Sequence, residues 1–183
     1  MEREFAVLEE KIADAAARIG GQYFQLPVAD ADSVYRERVY CYELYHQLRC
    51  VWQEFPFSLG GEVDKARHPH FRNGPYARSK PDLLVHEPGN MDRNLACVEV
   101  KPCSGGAGEF RDDLKKLTWF CHHARYHRGV FLVYGAQEGE TREYDLLNAK
   151  LRRAVQDNGE IDLARIAVFA HVAVGQRAER VNL

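Results

Sequence analysis

What this sequence lacks closes off several classes of protein. No apolar run approaches the roughly 20 residues of a membrane-spanning helix, so no membrane partner is expected. The opening stretch MEREFAVLEEKIADAAARIGG has acids where a secretory signal would have a basic and then an apolar segment, which points to the cytoplasm. The five cysteines (41, 50, 97, 103 and 121) form no CxxC pair. An odd number in segments that look buried predicts reduced thiols rather than a disulfide frame. No repeat, low-complexity tract or linker divides the 183 residues, so one domain over 1–183 is expected, with an N-terminal helix over 1–21 and a core over about 33–174.

Charge is also scarce in net terms. With 28% charged residues but a net charge of only −2, indiscriminate coating of nucleic acid is disfavoured, while a local basic surface stays open. One is present in KARHPHFRNGPYARSK, where Lys65, Arg67, Arg72, Arg78 and Lys80 have no acid among them. A charge run is most often a solvated loop. Its place just ahead of Asp82, with Phe71 and Tyr76 beside it, favours contact with phosphates and bases.

Hydrophobic spacing supplies the elements. Phe5, Leu8, Ile12, Ala15 and Ile19 recur at helical intervals, and Gly20-Gly21 ends that helix. The polar Asp30–Ser33 cluster offers N-caps for a second helix through about Glu54. Strands are expected over Phe57–Lys65, Pro81–Glu87 and Asn94–Lys101, the last two joined by the turn-forming PGNMDR. A helix over Glu109–Tyr126, the nearly all-apolar strand GVFLVYG, a helix over Thr141–Gln156 and a strand over Arg165–Val174 follow. The order predicts an α/β fold with a mixed sheet flanked by helices.

Strand alternation puts Glu99 and Lys101 on one face and Val98 and Val100 on the other. The loop Pro88–Arg93 is symmetric about Asn90-Met91, so counting back along both arms sets Asp82 opposite Glu99. Directly opposed residues lie roughly 5 Å apart at Cβ. Two close carboxylates repel unless a positive charge separates them, which makes them a natural site for a hard cation such as magnesium. A cation there acidifies a bound water and polarises a phosphoryl oxygen, and Lys101 is placed to serve that water. Phosphodiester hydrolysis fits this chemistry.

Pro81-Asp82 followed by Glu99-Val100-Lys101 resembles the signature of the PD-(D/E)XK nucleases, and the order αβββαβαβ resembles their restriction-endonuclease-like core. The resemblance covers about 33–174. It implies that Asp82 and Glu99 bind Mg2+ or Mn2+, that Lys101 is the catalytic lysine, and that the substrate is nucleic acid, DNA first. Many members add an acid on the helix before the first strand. Glu43 matches that position best here, and Glu62 is an alternative. A core without a target-reading domain implies a homodimer or partner subunits for targeting, as in a restriction, repair or defence system. A ribonuclease with the same site, and a catalytically silent module that binds nucleic acid or a protein, are the competing expectations.

Other motifs carry less. SGGAG lacks the lysine and hydroxyl of a P-loop and reads as a loop beside the site. His123 and His127 are one helical turn apart near Cys121 and His122, yet no second ligand pair follows, so zinc is disfavoured. Asp113, Lys115 and Lys116 lie on the helix expected to flank the site, and the sequence does not choose among them.

Overall fold

The apolar stripe of the first segment folds as α1, Glu2–Ala17, and buries Phe5, Leu8, Ile12, Ala15 and Ala16. In this computed structural model, residues 1–61, 74–76, 79–135, 141–156 and 158–183 are described. A short helix α2, Gly21–Phe24, leads into an antiparallel hairpin of β1, Leu26–Val28, and β2, Ala31–Val34. The hairpin corrects one expectation. Asp30 adopts φ 58° and turns the chain, so the polar cluster around it makes a turn and not a helix cap. Short polar side chains suit both roles, and composition alone does not separate them.

The next helix, α3, spans Glu37–Cys50 and begins at Arg36 without a side-chain cap. It stops short of the expected Glu54, which sits at φ 61°. Beyond it Trp52 stays buried, its Nε1 donating to the carbonyl of Phe57 at 2.7 Å.

The main sheet then assembles from β3, Ser58–Gly61, β4, Leu83–His86, and β5, Asn94–Pro102. Helix α4, Ala107–His123, leads to β6, Arg128–Tyr134, and α5, Thr141–Val155, leads to β7, Ile166–His171. A last edge strand, β8, Glu179–Val181, was not anticipated. Its three residues are too few to show a period. The strands lie in the order β3-β4-β5-β6-β7-β8, antiparallel except for the β5/β6 and β6/β7 pairs. From α3 to β7 the expected order holds, and the architecture is α/β with a mixed six-stranded sheet.

Helices α1 and α3 cover one face of the sheet, packing on Leu83, Val85, Val98, Val100, Val130 and Leu132. Helices α4 and α5 cover the other, on Leu84, Cys97, Phe131 and Val133. Being sandwiched explains why β6 is apolar at nearly every position. At its end Gly135 takes φ +90°, and a Cβ there would lie 2.6 Å from the Tyr35 ring, so only glycine fits. None of the five cysteines, all among the described residues, forms a disulfide. Among the described residues no helix is long and apolar enough to cross a membrane.

Candidate active site

β5 is the strand at which pairing changes from antiparallel with β4 to parallel with β6. The carboxyl ends of parallel strands are where α/β sheets gather ligands, and the end of β5 that carries Glu99 and Lys101 lies there.

Leu83 pairs with Val98 and Leu84 with Cys97. One step further, the same register sets Asp82 opposite Glu99, as loop symmetry indicated. Alternation gives both residues the side of Leu84 and Cys97, facing α4. Nearer the turn the register shifts between Val85 and His86, leaving Leu95 as an extra residue on β5. Leu95 and Ala96 consequently pack into the same layer. Symmetry therefore held at the chemical end and failed at the turn.

Six ionisable side chains meet at this end of the sheet. Glu99 is only 2% exposed, and its Oε2 contacts Lys116 Nζ at 2.7 Å. Lys116 also contacts Asp113 Oδ1 at 2.9 Å. Lys101 Nζ reaches across the strand end to Glu37 Oε2 at 2.8 Å on α3, and lies 3.5 Å from Asp113 Oδ2 on α4. Asp82 Oδ2 accepts the Val100 backbone N–H at 2.8 Å. Glu99 Oε1 and Asp113 Oδ2 are buried with no hydrogen-bond donor among the described residues; the longer approach of Lys101 to the latter is a charge contact.

When all are ionised, four carboxylates (Glu37, Asp82, Glu99, Asp113) face two ammoniums, an excess of two negative charges among the described residues. Titration reflects the excess. Burial raises the Asp82 carboxyl to about 6, against the Val100 hydrogen bond and with the help of Glu37. Burial, then Asp82, lifts Glu99 well above the usual carboxylate range in spite of Lys116. Burial pulls the Lys101 ammonium downward, but Glu37, Asp113 and Asp82 outweigh it and leave it above its ordinary value. Lys116 is raised in the same way, Glu99 and Asp113 prevailing over burial.

The acid that α3 brings to the cluster is Glu37, not Glu43. Glu43 accepts from Gln47 Nε2 at 2.7 Å. Six residues along a helix correspond to a rotation of roughly 120° and a rise of about 9 Å, which carries Glu43 off the face that holds Glu37. A signal for Glu37 was available, since it continues the buried stripe of Cys41, Leu44 and Leu48 by one turn. Among the three candidates on α4, Asp113 and Lys116 belong to the cluster, while Lys115 pairs with Glu160.

Lys80 is exposed and Tyr76 lies edge-on to Trp119 with centroids 6.0 Å apart. Lys65, Arg67, Arg72, Arg78, Phe71 and Glu62 lie outside the described residues. SGGAG ends in the N-terminus of α4, where Gly106 N–H donates to Glu109 Oε2 at 2.7 Å. The histidines disperse: His122 pairs with Asp162, His123 stacks on Trp119, and His127 approaches Glu2.

Among the described residues no three His, Cys, Asp or Glu side chains form a metal-ligand group. The fit of a divalent cation therefore rests on two carboxylates, Asp82 and Glu99. It is favourable on two counts, the excess of two negative charges and the buried, donorless Glu99 Oε1. Magnesium is commonly held by one or two carboxylates and keeps several waters. Comparison with protein-family models, with curated proteins and with solved structures finds no match.

Proposed function

We propose that this chain is a divalent-metal-dependent nuclease of the PD-(D/E)XK type, with a restriction-endonuclease-like core, hydrolysing phosphodiester bonds in DNA. The observation that carries this reading is the charge of the cluster. Four acids held around two lysines, with Glu99 nearly fully buried, form an arrangement that costs stability unless a further cation joins it.

Asp82 and Glu99 would hold Mg2+ or Mn2+, which when bound supplies an acidified water and a counter-charge for phosphoryl oxygens. Lys101 keeps its proton at neutral pH because Glu37, Asp113 and Asp82 surround it. It therefore serves as a hydrogen-bond donor and positive charge toward the attacking water and the phosphate, not as a base. Glu37 positions Lys101 through the 2.8 Å contact. Lys116 fixes one oxygen of Glu99 and leaves the other for ligation.

A nicking assay on supercoiled plasmid with Mg2+ or Mn2+ tests the reading. Wild type should nick, and Lys101→Ala and Asp82→Asn should each lose about 10²–10³-fold in rate, the effect typical of removing one charge-stabilising group. An activity that survived both substitutions would put the site elsewhere.

A second reading is favoured by one contact. Lys116 already rests on Glu99 at 2.7 Å, as a resident counter-ion would in a nuclease-fold module that only binds nucleic acid or a protein. Equal inactivity of wild type and both variants on DNA and RNA, with binding retained, would select it.

A further inference from the structure

A cleft of about 430 Å3 opens beside the acid cluster, lined by Glu37, Arg38, Cys41, Tyr42 and Tyr45 of α3 together with Gly61, Asp82 and Leu83. The five α3 positions fall within an arc of roughly 140° at about 100° per residue, so one helix face forms a whole wall. That face grades from acid to aromatic. Glu37 touches Lys101, Cys41 is buried next to it, Tyr45 is half-buried, and Tyr42 stands 62% exposed. Arg38 is exposed and adds a positive charge along the same wall. Gly61 completes the lining among the described residues: a Cβ placed on it would lie 3.7 Å from the Asp82 carbonyl oxygen and 4.0 Å from the Tyr45 ring, so glycine keeps that spot free of a side chain.

We infer that this cleft is a subsite for one unpaired nucleotide, so that the strand cut at Asp82 and Glu99 is single-stranded next to the scissile bond. The inference rests on the nuclease reading for its active centre and adds the class of substrate. The Tyr42 and Tyr45 rings offer π-faces for a base. The cleft has the size of a small-molecule pocket, which admits a base and excludes a duplex. A paired base reaches such a pocket only after unstacking, at a cost of a few kcal/mol that an already single-stranded segment does not incur.

The test is fluorescence anisotropy of a labelled short oligothymidylate and of a labelled duplex of equal length, with Ca2+ replacing Mg2+ to suppress cleavage. Tyr42 is exposed, and its substitution leaves the core intact. Wild type should prefer the single strand. Tyr42→Ala should weaken oligothymidylate binding by about 5- to 100-fold, the range for loss of one base–aromatic stack, and Tyr42→Phe should restore it. Unchanged oligothymidylate affinity in Tyr42→Ala, or a preference for duplex in wild type, overturns the subsite. Plasmid cleavage alongside either result leaves the nuclease standing. Tyr42-dependent binding without any cleavage upholds the subsite and removes the nuclease.

Discussion

Two buried polar clusters sit in this sheet, and they handle desolvation in opposite ways. At the end of β7, Tyr40 Oη and His171 Nδ1 lie 2.8 Å apart while Tyr40 stacks on Tyr134 at 3.8 Å. Burial presses His171 down to about 4, so the imidazole is neutral and shares a hydrogen bond with the Tyr40 hydroxyl. Nothing in that group needs a counter-charge. The Asp82–Glu99 cluster, by contrast, keeps six ionisable groups together with acids in excess. Burial alone therefore does not single out a candidate site; an excess of buried acids over the described cations does.

The comparison can be broken at several points. The largest effect is expected from Glu99→Gln, which removes one of the two proposed metal ligands. Wild type at Mn2+ a hundredfold above its dissociation constant should gain about 2.7 kcal/mol of stability, and the variant should gain essentially none in thermal melts. Hydrolysis should fall by about 10²–10³-fold in parallel.

Next in size is a pH effect in which the clusters oppose each other. Asp82 titrates near 6 when folded and near 3.8 when unfolded, so the stability it lends is present below about pH 4 and lost as pH rises through 6. His171 runs the other way. Its folded value of about 4 lies below the ordinary 6.5, so stability is lost as pH falls through that interval. Each shift corresponds to about 3 kcal/mol at most. Without metal, Asp82→Asn should be more stable than wild type at neutral pH by up to that amount and equal to it near pH 4. Denaturant melts across the range check this, and a variant no more stable at neutral pH would contradict the raised carboxyl.

Tyr40→Phe should cost about 1–3 kcal/mol by leaving His171 Nδ1 without its hydrogen-bond partner, with metal-dependent stabilisation unchanged. The smallest effect sharpens the choice of helix acid. Glu43→Gln should alter stability by less than about 0.5 kcal/mol and cleavage hardly at all. Glu37→Gln should slow cleavage severalfold and shift the pH–rate profile, since Lys101 loses its nearest carboxylate.

Much of the site was legible because it lies on strands. A period of two and a short loop fix which residues face each other, so Asp82, Glu99 and Lys101 could be placed from the sequence. Helices resisted. The position of α3 in the chain depended on where it began, and its start at Arg36 carries no cap to read. Glu43 was chosen by resemblance, whereas packing of Cys41, Leu44 and Leu48 against the sheet set the rotation that delivers Glu37. Lys116 was left among three because proximity to Glu99 arises only when α4 docks. The hairpin of β1 and β2 and the edge strand β8 were missed for a simpler reason: each strand is three or four residues long.

The additional residue at Leu95 has a bearing on how this chain can vary. It places an irregularity between the turn and the chemistry, and β5 remains clamped to β6 from Ala96 to Pro102. A lengthened or shortened connection at 88–93 can thus be accommodated upstream, with the end that carries Glu99 and Lys101 anchored by its other neighbour. Evolutionary drift in that turn is insulated from the positions of the acids.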